Sequence, residues 1–197
     1  MLIILRHGQT SANASGLLLG RSDPPLTDLG REQARFAALA LPSCTRVMAS
    51  PLARAAETAR LAVPGAEIEI DDRWIEMNYG DFEGIPLSQV PIETRTKWMG
   101  DPTFRPPGGE SLVDVGRRVE VALSQLTGEA SKSDVLVVSH VSPIKAAVAW
   151  CLGVSDEIAW RMSLSLASIT KIAFVAGKPS LVSYNDIHHL ELSGTKF

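Results

Sequence analysis

Two short apolar runs constrain this chain more than anything else in it, because they stop in the same way. Leu2-Ile3-Ile4-Leu5 ends at Arg6-His7-Gly8, and Val135-Leu136-Val137-Val138 ends at Ser139-His140. Continuous apolar runs of this length, cut off by polar residues, read as strands buried on both faces, as the central strands of parallel sheets are. Parallel strands finish on one sheet edge, and open α/β sheets bind ligands beyond that edge. The pattern therefore brings two imidazoles, His7 and His140, to face each other across one cleft from distant parts of the sequence.

Between the two runs, strand and helix signals alternate. Residues 15–25 are rich in glycine and proline and exclude a helix. Thr27 is a good N-cap for a helix to about Leu41, ended by Pro42. Thr45 to Ala49 reads as a strand, and Ser50-Pro51 opens a helix from about Leu52 to Ala62 that carries Arg54 in its first turn. A strand near Glu67 to Ile70 follows, and Pro86 to Met99 is helical but broken by Pro91. Ser111 and Asp114 form a capping box for a helix to about Leu126, where Thr127-Gly128 stops it. A helix from Val141 or Ser142 to about Leu152 follows the second run, then a short helix near Asp156 to Arg161. Two last strands span about Ala167 to Val175 and Leu181 to Tyr184, and residues 185–197 read as a loosely held tail. The expectation is an α/β fold of three layers, a mostly parallel central sheet flanked by helices, in a single domain over residues 1–197.

Bulk properties narrow the function classes. A net charge of −3 gives no electrostatic case for nucleic acid or an anionic membrane surface. No run of 18 or more uncharged apolar residues suggests a transmembrane helix, and the expected location is cytoplasmic. Cys44 and Cys151 are far apart, with no CxxC, and are expected to be two buried thiols. His188-His189 is adjacent in a polar tail, a poor spacing for a metal.

The converging set is Arg6, Arg54, His7 and His140, with Arg54 at a helix N-terminus on the same edge. Guanidiniums and a helix N-terminus both favour an anion, and a phosphoryl group suits them best. Leu5-Arg6-His7-Gly8-Gln9-Thr10 with Asn13, then Pro25-Leu26-Thr27-Asp28-Leu29-Gly30, resembles the start of the histidine phosphatase superfamily, the phosphoglycerate mutase-like proteins. Ser50 to Thr58, Glu76 to Gly84, Pro107 to Ser111 and Val137 to His140 match further segments of that family in order, so the resemblance covers residues 2 to about 145.

The resemblance implies roles. His7 would be the nucleophile and form a phosphohistidine. Arg6, Arg54 and His140 would hold the phosphoryl oxygens, with Asn13 as a further polar contact. Glu76 would protonate the leaving alkoxide and then activate water. Asp72, Asp81 and Glu83 are its rivals on the same loop. Gln9 and Thr10 contact phosphate or bond the loop's own backbone; both readings stand. Glu57 is a helix-surface residue or one that orients Arg54. No metal or other cofactor is required, because arginines take the charge role that Mg²⁺ fills elsewhere.

One departure from the family pattern is Val141-Ser142-Pro143-Ile144-Lys145, where many members have two glycines after the second histidine. The Val141 N–H can still face the phosphate, and Lys145 faces cleft or solvent. The departure resembles the branch of acid phosphatases and α-ribazole phosphatases. Mutases of the superfamily carry a longer insertion than the lid-like 85–110 stretch seen here, which supplies Arg95, Lys97 and Arg105. The expected activity is therefore phosphomonoester hydrolysis. The alternatives are mutase-type phosphoryl transfer and a non-catalytic phosphate-binding module. Trp74, Tyr79, Phe82, Trp98 and Phe104 form an apolar rim for the ester or pack under a loop. The expected partner is a small phosphate ester, with Trp150, Trp160 and the final strand as a candidate homodimer face.

Overall fold

The computed structural model describes residues 1–191. The chain runs β1 (Leu2–Arg6), α1 (Ser11–Ala14), α2 (Asp28–Ala37), β2 (Arg46–Ala49), α3 (Ala53–Ala62) and β3 (Ile68–Ile70). Then come α4 (Ile92–Gly100), α5 (Leu112–Ala130), β4 (Val135–Ser139), α6 (Val141–Leu152), β5 (Ile169–Val175), β6 (Lys178–Asp186) and α7 (His188–Glu191). Short 3₁₀ turns occupy 72–74, 80–82, 87–89 and 156–161.

The sheet order is β3-β2-β4-β1-β5-β6. Strands β3, β2, β4 and β1 are mutually parallel, and β5 and β6 add antiparallel at the β1 side. Strands β1 and β4 are buried on both faces because successive side chains face opposite layers. Leu2, Ile4, Val135 and Val137 join the core built with α5 and α6, while Ile3, Leu5, Leu136 and Val138 join the one built with α3. The expected α/β sheet flanked by helices is the observed one.

Several boundaries differ from the sequence pattern, each for a tertiary reason. Helix α3 starts at Ala53, and Ser50 does not cap it. The carboxylate of Asp23 accepts from the Ala53 N–H at 2.6 Å and from the Arg54 N–H at 3.5 Å, so the cap comes from a loop far away in sequence. Helix α5 continues through Thr127-Gly128 to Ala130. The Thr127 hydroxyl bonds the Leu123 carbonyl inside the helix, and Leu126 and Ala130 are buried one turn apart, which outweighs the glycine. The single turn α1 was not expected; Thr10 and Asn13 form its capping box.

The tail reading is corrected for residues 185–191. Asn185 and Asp186 end β6, and His189 and Leu190 are buried on α7, which packs against α2. The remainder of that predicted tail lies outside the described residues. Cys44 is only half-buried, whereas Cys151 is buried; both are free thiols.

The loop after β1 and the start of α2 meet backbone to backbone. A Cβ on Gly30 would lie 2.1 Å from the Gln9 carbonyl oxygen, and one on Gly8 would lie 2.2 Å from the Gly30 carbonyl oxygen. Neither neighbour is a side-chain end that can swing away. Gly30→Ala should therefore destabilise the fold by at least the ~1–3 kcal/mol typical of overpacking. It should also displace the residues flanking His7 and lower any activity of the site. Urea unfolding checks the first outcome, and a midpoint equal to wild type would refute the close packing.

Candidate active site

His7 follows β1, and its N–H continues the ladder by donating to the Ser139 carbonyl at 3.0 Å. Its Nδ1 lies 2.7 Å from the Gly8 carbonyl oxygen. A carbonyl only accepts, so Nδ1 carries the proton and Nε2 holds the lone pair. The ring is buried, and burial pushes its pKa well below the ordinary histidine value; Arg6 and Arg54 push it further, against a smaller opposing effect of the Gly8 bond. His7 is therefore neutral at physiological pH, in one tautomer.

His140 is the residue before α6, its ring centroid 5.0 Å from that of His7. Its Nδ1 accepts from the Arg54 Nε–H at 3.3 Å, which leaves Nε2–H to donate to the Ser50 hydroxyl at 2.7 Å. Burial, His7 and the nearby guanidiniums hold its pKa well below the usual range. Arg54 is fully buried. Its Nη1 and Nη2 donate to the Ser22 and Gly20 carbonyls at 2.7 and 2.8 Å, and Asp23 lies 3.5 Å from Nη1. A guanidinium has five N–H groups; three of those on Arg54 donate to protein, and Asp23 pairs with the same Nη1. Arg6 donates from Nη1 to the Leu164 carbonyl, and its Nε is buried without an acceptor. Burial lowers its pKa to about 10, which keeps it cationic at neutral pH.

A cavity of about 240 Å³ opens beside these groups, with Arg6, His7, Asn13, Glu76 and Lys145 on its wall. Arg54 and His140 adjoin His7 but do not line that cavity. Among the rival carboxylates, Glu76 alone is on the wall. It accepts from the N–H groups of Met77, Val141 and Ser142 at 2.8, 3.0 and 3.1 Å. The Val141 N–H expected to face a phosphate therefore bonds Glu76 here. Glu83 holds the Arg21 and Ser22 N–H groups, tightening the loop whose carbonyls hold Arg54.

For Gln9 the bonds present run to α2 and its cap, and for Thr10 they are local. The Gln9 amide oxygen accepts from the Thr27 hydroxyl at 2.9 Å, and Thr10 caps α1. Asn13 spends its side-chain oxygen on the Thr10 N–H and hydroxyl. Glu57 pairs with Arg31 at 2.7 Å and does not orient Arg54. Lys145 faces the cavity, its Nζ donating to the Ala159 carbonyl at 2.8 Å. Trp74 is core, whereas Tyr79 and Trp98 line the cavity, and Trp98 is packed among Tyr79, Phe82, Phe104 and Trp160.

Sequence reasoning missed Ser50 as the partner of His140 and Asp23 as the cap behind Arg54. Ser50 was visible as a strand-end polar residue like Ser139; Asp23 carried no local signal.

A six-stranded, mostly parallel sheet flanked by helices is the architecture this chain shares with the phosphoglycerate mutase-like proteins. The chain belongs to the histidine phosphatase superfamily (branch 1), whose family model matches residues 2–187. A bifunctional protein of Mycobacterium tuberculosis is 34% identical over 189 residues, 92% of this chain and 52% of that protein. The chain thus spans about half the length of such curated relatives. A glucosyl-3-phosphoglycerate phosphatase of Mycolicibacterium vanbaalenii is 38% identical over 167 residues, covering 77% of this chain and 74% of the relative. A mutant phosphoserine phosphatase of Entamoeba histolytica, solved with phosphoserine, superposes with a TM-score of 0.90 at 26% identity, covering 96% and 98% of the two chains.

The two depressed imidazoles make a stability prediction whose sign is definite. Both titrate well below 6.5 when folded, so below pH 6.5 the unfolded chain binds more protons than the folded one. Their contribution is intact above pH 6.5 and lost as pH falls below it, by up to about 1.4 kcal/mol per pH unit for each histidine. Urea unfolding from pH 7.5 to 5 should show this slope, reduced in His140→Gln. A parallel pH dependence in wild type and variant would contradict it.

Proposed function

We propose that the chain is a phosphomonoester hydrolase working through a phosphohistidine on His7. One observation supports this most directly: Gly8 pins the His7 proton on Nδ1, so a buried, neutral imidazole keeps the Nε2 lone pair beside two guanidiniums. Neutrality is what a histidine nucleophile needs, and cations are what the phosphoryl oxygens need. The phosphatase names among the relatives support this class, and the probable phosphoglycerate mutases among them fit the transfer alternative.

In the first step Nε2 attacks phosphorus as the P–O bond to the alcohol breaks. Glu76 protonates the departing oxygen, and the phosphoryl group becomes bonded to Nε2. In the second step Glu76 takes a proton from water, which attacks phosphorus and releases inorganic phosphate and free His7. Arg6 offers N–H groups on the cavity wall, and Arg54, buried beside His7, adds its positive charge. His140 positions Arg54 through Nδ1; a direct phosphate contact from its Nε2 requires giving up the Ser50 bond. Asn13 is on the wall for a polar contact, whereas Gln9 and Thr10 shape the loop. Glu76 must also release bonds from α6 as it takes up a proton, because a protonated carboxyl accepts fewer N–H groups.

Phosphate release from a panel of esters tests the reading. His7→Ala should lower kcat by about a thousandfold or more and abolish a phosphoenzyme trapped by acid quench. Glu76→Gln should cost about a hundredfold on alkyl esters and much less on p-nitrophenyl phosphate, whose leaving group needs no proton. A chelator should change nothing. Activity that survives His7→Ala, or disappears with the chelator, sinks the mechanism. Isomerised phosphoglycerate in place of free phosphate identifies transfer rather than hydrolysis.

A further inference from the structure

Glu110 takes part in none of the steps above, yet its carboxylate joins the two segments that carry them. One oxygen, Oε2, accepts from the Asn78 N–H at 2.8 Å and from Arg21 Nη2 at 2.9 Å. Asn78 lies two residues beyond Glu76. Arg21 stands between Gly20 and Ser22, whose carbonyls hold the Arg54 guanidinium. The other oxygen, Oε1, lies 3.4 Å from Nε of Arg118 on α5. Arg118 in turn donates from Nη1 to the Arg73 carbonyl at 2.6 Å. Glu110 thus reaches the segment of Glu76 from both ends, directly at Asn78 and through Arg118 at Arg73.

The backbone around this carboxylate is closely fitted. The Glu110 N–H donates to the Asn78 carbonyl at 2.9 Å, and the Asn78 side-chain N–H donates to the Gly108 carbonyl at 3.1 Å. A Cβ on Gly20 would lie 2.6 Å from the Met77 carbonyl oxygen, so the loop that holds Arg54 and the one that carries Glu76 touch backbone to backbone. Burial works against ionisation of Glu110, but Arg118, the Asn78 N–H and Arg21 outweigh it and hold its carboxyl below the usual range. It is therefore charged at neutral pH, and a charged acceptor binds such donors about twice as strongly as a neutral one. None of Glu110, Arg21 and Arg118 lines the cavity. Both proposed steps need Glu76 and the guanidiniums at one phosphorus together, and a misplacement of about 1 Å between such groups costs about a hundredfold.

We propose that Glu110 is a positioning residue for the reaction: it fastens the segment of Glu76 to the loop that holds Arg54, and so sets the general acid and the phosphoryl end at one spacing. The proposal rests on the hydrolase reading and adds to it a residue that acts without touching substrate.

The test uses Glu110→Gln, which keeps the shape and an acceptor but removes the charge, and Arg21→Met, which cuts one of the two links. The probes are p-nitrophenyl phosphate, whichever of glycerol 3-phosphate, 3-phosphoglycerate and phosphoserine wild type hydrolyses fastest, and inorganic phosphate as a competitive inhibitor. Glu110→Gln should lower kcat on the alkyl ester by about tenfold or more and on the aryl ester much less, because only the alkoxide needs a well-placed acid. In a Glu76→Gln background the same change should cost both esters alike. The inhibition constant for inorganic phosphate should rise several-fold in Glu110→Gln and in Arg21→Met. Charge alone would move it in opposite directions in the two variants, down on losing an anion and up on losing a cation. The positioning role is overturned if Glu110→Gln slows both esters equally with Glu76 intact, or if its ester dependence persists without Glu76. If Glu110→Gln does not fold, Arg21→Met decides, and a wild-type inhibition constant there overturns the role. Wild type inactive on all three alkyl esters would instead overturn the hydrolase reading, and the positioning role with it.

Discussion

The hydrogen bond from the His7 N–H to the Ser139 carbonyl extends the parallel β1–β4 ladder one residue past its paired end. The Ser50 N–H does the same on the other side of β4, donating to the Val138 carbonyl at 3.0 Å. Three parallel strands therefore finish in step, and the residues that follow them meet. The interior that enforces this register is apolar on both faces of β1 and β4, and a slip of one residue would turn each side chain toward the opposite layer. The polar site depends on that apolar register: without it His7, Ser50 and His140 have no common edge.

The site then concentrates positive charge in a place that disfavours it. Arg54 has no exposed surface, and an isolated buried cation costs several kcal/mol. Two backbone carbonyls, Asp23 and the His140 Nδ1 lone pair answer that cost. Burial first, and the same cations after it, keep both histidines neutral, so the arrangement is self-consistent: imidazoles that stay neutral can accept beside guanidiniums that stay charged. Gly20, Ser22 and Asp23, which carry no chemistry of their own, are as necessary to this balance as Arg54.

What could be read from the sequence divides along physical lines. The two apolar runs, the Thr27 cap and the Ser111–Asp114 capping box are local patterns, and the structure has them. The meeting of His7, Arg54 and His140 was legible because strand direction alone brings parallel strand ends together. Glu76 was not separable from Asp72, Asp81 and Glu83 by pattern, since irregular turns decide which carboxylate reaches the wall; the family resemblance singled it out. Asp23 capping α3, Ser50 holding His140 and the extra turn of α5 depend on partners distant in sequence. Lys145 fell between these cases. Helical spacing put it one turn from Val141, but whether that turn faced cavity or solvent depended on where Ala159 and Trp160 pack.

The residues around the cavity also divide by origin. Those that act on phosphorus or the leaving oxygen in the proposed mechanism, by contact or by charge, end or follow β1, follow β3 or stand at the start of α3, tied by backbone bonds to the sheet and to α6. Elsewhere the wall includes Trp98 of α4, Lys145 in the second turn of α6 and the 3₁₀ turn at 156–161, joined by the ring contact of Trp98 on Trp160 at 5.2 Å. Ring contacts tolerate exchange of one apolar side chain for another far better than a hydrogen-bonded strand end tolerates any change. A chain built this way can alter the alcohol it accepts through 85–110 and 156–161 while the phosphoryl end stays as it is. The same separation explains why family resemblance, which follows the strand ends, identifies the reaction class more readily than the leaving group.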